Sequence, residues 1–171
     1  VQFLDGSMEA RHPSFARGRV LISMRTLSVI AVLDLETERI VWALSGLWRE
    51  QHQPRQLPNG RLMIFDNKGG DGASRILEID PVTQVVEWSY EGTKESPFYT
   101  EMCGANQRLA NGNTLITESD YGRAFEVTLD GEVVWEYVSP ERTGKNNHLI
   151  ATLFEMERLP ADLELDWLDG E

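Results

Sequence analysis

The stretch that decides the fold covers residues 51–92, QHQPRQLPNGRLMIFDNKGGDGASRILEIDPVTQVVEWSYEG. It contains a glycine turn (LPNG), an apolar run, a second strand-like run (SRILEID) and a third run with tryptophan and tyrosine. The runs are rich in aliphatic, β-branched and aromatic residues, as half-buried strands are. The stretch therefore predicts a small antiparallel sheet with turns between its strands.

The same order of features recurs on both sides of this stretch. Turn glycines followed by apolar runs occur at residues 15–25, 57–67 and 109–119. Second runs follow at 28–34, 74–80 and 122–128, and third runs at 39–44, 84–90 and 132–137. The tryptophans of the third runs, Trp42, Trp88 and Trp135, are 46 and 47 residues apart. A period in the forties with several strands per copy is typical of a β-propeller blade, and we expect these tryptophans to pack between neighbouring blades.

A fourth strand per copy is predicted ahead of the turn, at QHQPRQL (51–57) and CGANQRL (103–109). In a propeller this innermost strand lines the central channel. Asn-Gly pairs at 59–60 and 111–112 favour the positive φ angles of tight hairpins. The sequence thus predicts an all-β fold, a β-propeller of four-stranded blades.

The chain is expected to form one propeller domain over residues 1–168, with a tail at 169–171. Residues 1–14 are interpreted as a strand remnant, VQFLD, and a polar connection, and residues 149–159 as a strand or, alternatively, a short helix that opens a fourth unit. The predicted units are 15–49, 51–92, 104–140 and a partial one at 149–168. Three units and a remnant cannot close a ring of about 4–8 blades. Both ends cut through units, so we expect a fragment of a longer propeller, the alternative being completion by a second chain.

The composition and net charge limit which classes of binding partner are expected. The 171 residues are 41% apolar and 26% charged, as in ordinary globular proteins, and the net charge is −12. That charge argues against nucleic acid and anionic membranes, which need clustered Lys and Arg. No apolar run reaches about 18 residues, so no membrane span is predicted, and no signal peptide is visible. The single cysteine, Cys103, cannot form an internal disulfide and is expected to be a small buried residue in a strand.

The quoted segments, together with GRVLISMRTLSVIAVLDLETERIVWALSG, SRILEIDP, GANQRLANGNTLITES and GRAFEVTLDGEVVWEYVSP, resemble the arylsulfotransferase family of β-propellers. The resemblance extends over most of residues 1–168. It implies a six-bladed propeller that moves a sulfuryl group from an aryl sulfate to a phenol through an active-site histidine, without a cofactor. It also suggests a periplasmic location.

The resemblance assigns two site residues. His52, in the QH-x-P element, matches an active-site histidine, and Arg75, in the SR that follows FDN, matches an active-site arginine. Weaker candidates are His148, the one histidine of the C-terminal part, and Arg25, in a family-like LIS-x-R element. A further family histidine, in an H-x-N-S-V element, would precede Val1.

These residue types suit sulfuryl transfer. A neutral imidazole can attack, leave or protonate a phenolate, and an arginine offers two parallel donors to a sulfate. Structural roles are the alternatives: His52 would bond neighbouring backbone, and Arg75 would pair with Glu78 or Asp66. His12 is interpreted as a surface loop residue.

Metal binding and a non-catalytic role complete the alternatives. DNKGGDG (66–72) has acidic residues near glycines, but its spacing does not fit a calcium loop, so solvated turn residues are preferred. No metal or cofactor motif is found. The alternative to an enzyme is a propeller that binds a ligand or protein partner at its channel face.

Overall fold

The computed structural model describes residues 1–69, 72–164 and 166. Three four-stranded antiparallel sheets follow one another, each with its strands in sequence order. The first sheet contains β1 (Gln2–Phe3), β2 (Val20–Met24), β3 (Val29–Asp34) and β4 (Arg39–Ser45). The second contains β5 (His52–Gln56), β6 (Leu62–Asp66), β7 (Arg75–Ile79) and β8 (Val86–Glu91). The third contains β9 (Ala105–Arg108), β10 (Thr114–Glu118), β11 (Arg123–Val127) and β12 (Val133–Val138).

The remaining regular structure is short. Strands β13 (Arg142–Thr143) and β14 (Leu149–Ile150) form a two-stranded hairpin. Single 3₁₀ turns occur at Pro13–Phe15, Arg25–Leu27, Ser119–Tyr121 and Lys145–Asn147. No helix in the described part of the chain is long and apolar enough to cross a bilayer. The expected all-β fold built from four-stranded antiparallel sheets is confirmed.

The first sheet uses the N-terminal strand remnant. Gln2 pairs with Leu21 and Phe3 with Val20, so β1 is the first strand of this sheet. The first strands β1, β5 and β9 are neighbours in space, which places the starts of the three sheets along one side of the molecule.

The sheets pack face to face, and strand alternation decides which side chain faces which neighbour. In β6, Leu62 and Ile64 join a first core cluster with residues of the first sheet, such as Ile30. Met63 and Phe65, one position on, join a second cluster with residues of the third sheet. Because alternate residues of β6 belong to the two clusters, the second sheet is covered on both faces.

Two of the three repeated tryptophans pack as expected. Trp42 lies against the first core cluster and Trp88 against the second, each between adjacent sheets. Trp135 occupies the same place in the third sheet, on β12, and is 39% exposed. Trp135 is more exposed because no described four-stranded sheet packs against the outer face of the third sheet.

An arginine joins the second and third sheets. Arg108 of β9 donates to the buried carboxylate of Glu78 at 2.6 Å, and its guanidinium lies 4.8 Å from the centre of the Trp88 ring. Asn59, in the turn before β6, donates to the same carboxylate at 3.1 Å. We call this arrangement of carboxylate, tryptophan and arginine the arginine latch.

The latch recurs at the outer face of the third sheet. Arg158 donates to Glu126 at 3.1 Å and lies 5.7 Å from the centre of the Trp135 ring, while Asn111 donates to Glu126 at 3.0 Å. Residues 151–159 therefore run beside β9, where the first strand of a further sheet would lie. The strand expected over 149–159 is present only at Leu149–Ile150; residues 151–159 have no ladder pairing.

The turns before β6 and β10 differ from the two-residue hairpins that the Asn-Gly pairs suggest. Each connection has five residues, and only the glycine has positive φ, +80° at Gly60 and +89° at Gly112. The asparagines act through their side chains: Asn59 accepts from the Arg61 N–H at 3.0 Å, and Asn111 accepts from the Asn113 N–H at 3.0 Å.

Candidate functional site

His52 begins β5 and is half-buried. Its Nδ1 lies 2.7 Å from Oδ1 of Asn67. The register of β5 against β6 shifts between His52 and Arg55, which marks a β-bulge, and Gln53 within it has a φ of +41°. The matching strand β9 pairs with β10 without such a shift. A bulge re-aims side chains and is common beside functional sites, so His52 lies where the repeat is locally altered.

Asn67 follows β6 and is fully buried. Its Nδ2 donates to the carbonyl oxygens of Thr100 at 3.0 Å and Cys103 at 2.6 Å. The sequence interpretation of Asp66 and Asn67 as solvated turn residues is wrong, because both side chains are fully buried. The asparagine joins His52 to the connection between the second and third sheets.

Arg75 begins β7, directly opposite Asp66 in the ladder. Its Nε donates to Asp66 Oδ2 at 2.8 Å, and its Nη2 donates to the Leu47 carbonyl at 2.8 Å. The other Asp66 oxygen accepts from the Arg49 N–H at 2.8 Å. Of the two ion pairs considered for Arg75, the structure contains the one with Asp66; Glu78 pairs with Arg61 and Arg108.

The ion pair of Arg75 has a counterpart in the third sheet. There Arg123, the first residue of β11, donates to Glu118 at 3.1 Å, and Glu118 accepts from the Tyr99 N–H at 2.8 Å. The pair of arginine and carboxylate thus belongs to the repeat in two sheets. The contact between His52 and Asn67 has no such counterpart, because Ala105 and Ser119 occupy those positions in the third sheet.

His52 and Arg75 are brought to the same end of the second sheet but bond different partners. Asp66 and Asn67 are consecutive, and the first binds Arg75 while the second binds His52. One short segment therefore bonds both predicted site residues, but Arg75 lies beside the connection from the first sheet and His52 beside the connection to the third. Their roles in catalysis stay predictions.

Arg25 lies in a charged cluster near this end. It forms an ion pair with Glu50, and its Nη2 donates to the Glu101 carbonyl at 3.3 Å. Lys68 donates to Glu50 at 3.1 Å; this hydrogen bond raises the pKa of the Lys68 ammonium and lowers the pKa of the Glu50 carboxyl. Both cations are paired with acidic side chains. The cluster joins residues from the loops of adjacent sheets.

His148 lines a pocket of about 800 Å³ between the loop at residues 95–99 and the hairpin of β13 and β14. The other walls include Tyr99, Arg123 and Arg142. The His148 ring is exposed, with Nδ1 2.6 Å from the Lys145 carbonyl. The structure does not bring His148 to His52 or Arg75, neither of which lines this pocket.

Two other sequence interpretations concern His12 and Cys103. His12 is half-buried and caps the first 3₁₀ turn, with Nδ1 accepting from the Ser14 N–H at 3.3 Å. The expectation for Cys103 is wrong: it is half-exposed and lies outside β9, with a φ of +65°. This left-handed residue reverses the chain before β9, which a strand residue cannot do.

In the described part of the glycine-rich loop, the polar side chains at 66 and 67 bond protein groups. Asp66 is engaged by Arg75 and Asn67 by His52, and Asp71 lies outside the described residues. Among the residues with described positions, no group of three or more His, Cys, Asp or Glu could hold a metal ion. Trp167 and the tail at 169–171 also lie outside them.

Successive four-stranded sheets, with an imidazole held at the head of one first strand, define an all-β repeat protein with a candidate catalytic histidine. The chain belongs to the arylsulfotransferase family: the sequence profile described as Arylsulfotransferase (ASST) matches residues 7–140. This confirms the family inferred from the sequence.

Other comparisons add little. No curated protein matches the chain. One solved structure with partial similarity is a protein of unknown function from Bacteroides caccae, with 16% sequence identity and a TM-score of 0.46. The match covers 70% of this chain and 57% of that one, so the chain spans little more than half of the solved protein's length.

Proposed function

We propose that this chain forms part of a β-propeller that transfers a sulfuryl group from an aryl sulfate to a phenol, with His52 as the residue that receives the group. Family membership supports the reaction class. The observation that carries the assignment of His52 is its fixed ring: a buried amide holds one ring nitrogen from inside the protein. Preorganised groups of this kind are what a transfer site needs.

The reaction balances in two steps. The lone pair of the imidazole attacks sulfur, the bond between sulfur and the aryl oxygen breaks, and its electron pair leaves as phenolate. The acceptor phenol oxygen then attacks sulfur, the nitrogen–sulfur bond breaks, and its pair returns to the ring. The acceptor's proton ends on the departing phenolate, so an aryl sulfate and a phenol become a new aryl sulfate and a new phenol.

Arg75 is proposed as a contact for the sulfate oxygens. Its bonds to Asp66 and to the Leu47 carbonyl fix the guanidinium plane at the same end of the sheet as His52. Planar guanidinium groups suit the oxygens of a transferring anion better than a flexible ammonium does. Arg25 and His148 stay weaker candidates.

The test is a transfer assay with a chromogenic aryl sulfate and a phenol acceptor, on the protein at its natural length. His52→Ala is expected to lower the rate of phenol release at least about 100-fold. His12→Ala is the matched control, because it removes a histidine that caps the first 3₁₀ turn and belongs to neither candidate site, and it should retain activity. Equal rates in wild type and His52→Ala would reject the assignment.

A second candidate function is a propeller that binds ligands without turnover. The pocket of about 800 Å³ favours it, because its walls combine Tyr99, Arg123, Arg142 and His148 and include neither predicted catalytic residue. Binding of phenyl sulfate that survives His52→Ala, is lost in Arg142→Ala and occurs without phenol release would support this alternative.

A further inference from the structure

The Asn67 side chain connects the His52 ring to two backbone carbonyls. Its Oδ1 lies 2.7 Å from His52 Nδ1, and its Nδ2 lies 3.0 Å from the Thr100 oxygen and 2.6 Å from the Cys103 oxygen. Asn67 is fully buried, so water does not compete for these bonds. The amide is thus in contact with three polar partners at once.

The chemistry of these partners decides how the amide is oriented. Carbonyl oxygens only accept hydrogen bonds, and an asparagine side chain has two donors on nitrogen and an acceptor oxygen. Nδ2 must therefore face Thr100 and Cys103, because the reverse orientation would place three oxygens together. The side-chain oxygen then faces His52, and this oxygen only accepts.

We propose that Asn67 is a positioning residue that holds His52 in the tautomer with the proton on Nδ1. Facing an acceptor, Nδ1 must donate, so the neutral ring carries its lone pair on Nε2. Which nitrogen of a histidine bears the proton is set by the bond that the other nitrogen makes. The structure thereby assigns the reacting atom: Nε2.

The two carbonyls are themselves held in place. Ser74 and Thr100 are fully buried; the Ser74 hydroxyl donates to the Asn67 carbonyl at 2.9 Å and accepts from the Thr100 N–H at 3.0 Å. Cys103 has a φ of +65°, and Gly104 after it has a φ of +109°. A Cβ on Gly104 would lie 2.6 Å from the Phe65 ring, so only glycine fits there. The contacts of Ser74, Thr100 and Gly104 therefore fix the amide, and the amide fixes the ring.

For the reaction, this inference rests on the proposed function. In the Nδ1-protonated tautomer, Nε2 can attack sulfur while Nδ1 keeps its proton throughout transfer. The charge that develops on the ring is then stabilised through the bond to the Asn67 oxygen. The opposite tautomer would place a hydrogen on the attacking nitrogen and block the first step.

The first test needs no substitution. Long-range proton–nitrogen NMR spectra of the ¹⁵N-histidine-labelled protein, above the pH at which the rings ionise, distinguish protonated from unprotonated ring nitrogens. His52 should be protonated at Nδ1. His12 is the internal control with the opposite expectation, because its Nδ1 accepts from the Ser14 N–H. A spectrum with the His52 proton on Nε2 overturns the proposal.

The second test is Asn67→Leu, of similar volume but without an amide. His52 is expected to shift toward the Nε2-protonated tautomer that free imidazole favours, and kcat should fall by up to about 10⁴-fold, the loss that a wrong tautomer causes in a Ser-His-Asp triad. Asn106→Leu, which removes another buried amide, controls for lost stability. A folded Asn67→Leu protein that retains the Nδ1 proton overturns the role of Asn67.

The readouts separate the two hypotheses. If Asn67→Leu does not fold, the wild-type spectrum alone decides the tautomer. An Nδ1-protonated His52 in a protein without transfer activity supports the positioning by Asn67 and rejects the proposed function. Activity together with an Nε2-protonated His52 supports transfer and rejects the tautomer assignment.

Discussion

Glu118 and Glu126 are buried carboxylates of the third sheet whose pKa values shift in opposite directions. Burial raises the pKa of the Glu118 carboxyl above its ordinary value of 4.5, although Tyr99 N–H and Arg123 bond it. The amide of Asn113 is the main cause that lowers the pKa of Glu126, with Asn111 and Arg158 adding to it against burial.

The pH dependence of stability follows from these directions. For Glu118 the folded state holds the proton more tightly than the unfolded state, so its contribution is present below about pH 4.5 and lost as pH rises through the raised pKa. Glu126 contributes stability above about pH 4.5 that is lost as pH falls through its lowered pKa. Relative to wild type, Glu118→Gln should therefore gain stability from pH 4 to pH 7, and Glu126→Gln should lose it. Denaturant titrations across that range measure both slopes; slopes of equal sign would contradict the assignment.

At the same scale, the sequence located His52 but not the residue that orients it. A histidine at the head of a strand and an arginine after FDN are visible as motifs. The contact of Asn67 with Thr100 and Cys103 joins residues 33 and 36 positions apart through a left-handed turn. No local sequence pattern predicts such a turn at Cys103, because cysteine rarely adopts positive φ. The expectation of a strand residue there was wrong for this reason.

Among the elements, the two arginine latches offer a comparison within one chain. At the first, Arg108 and Glu78 have side chains 15% and 6% exposed. Burial lowers the pKa of Arg108, and the nearby Glu78 opposes that shift. At the second, Arg158 is 51% exposed. The same three residue types therefore occur in two different dielectric surroundings.

The coupling free energy between arginine and glutamate should be larger at the buried latch, Arg108–Glu78, than at the exposed latch, Arg158–Glu126. A double-mutant cycle of Arg108→Ala and Glu78→Ala is expected to give about 1–3 kcal/mol, and that of Arg158→Ala and Glu126→Ala below about 1 kcal/mol. Free energies of unfolding from chemical denaturation supply both values. Repeating the cycles at high salt is the control, since only the exposed pair should be screened. Equal coupling at both latches would show that burial does not matter here.

Most strands could be predicted because the residue pattern of a strand is local. The predictions failed where the structure depends on contacts with other sheets. The repeat correctly predicted the first strands β5 and β9 and the packing of Trp42 and Trp88 between sheets. In the first sheet, Val32 and Gln56 occupy the places of the latch glutamate and arginine, a paired change that the sequence pattern did not reveal. Residues 151–159 repeat the sequence of a first strand but lack ladder partners, since a strand is defined by what pairs with it.

For the whole molecule, the number of neighbouring sheets that each sheet packs against predicts which sheet unfolds last. The second sheet contributes residues to both core clusters, one shared with the first sheet and one with the third, whereas each of the other two sheets contributes to one. In stacked repeats, stability is close to a sum of terms from each unit and each neighbouring interface. The middle sheet should therefore open last, since opening it breaks both interfaces.

Hydrogen exchange followed by mass spectrometry tests this order. Amides of β6 and β7 are expected to exchange most slowly and those of β12 fastest, because local opening follows local burial. Ile30→Val and Ile116→Val, in the first and second core clusters, should each cost about 1 kcal/mol. The first should speed exchange mainly in the first sheet and the second mainly in the third, because each weakens only the interface on its own side. Equal acceleration of all three sheets by either variant would mean that the chain unfolds as one cooperative unit, and the additive account of its sheets would then be wrong.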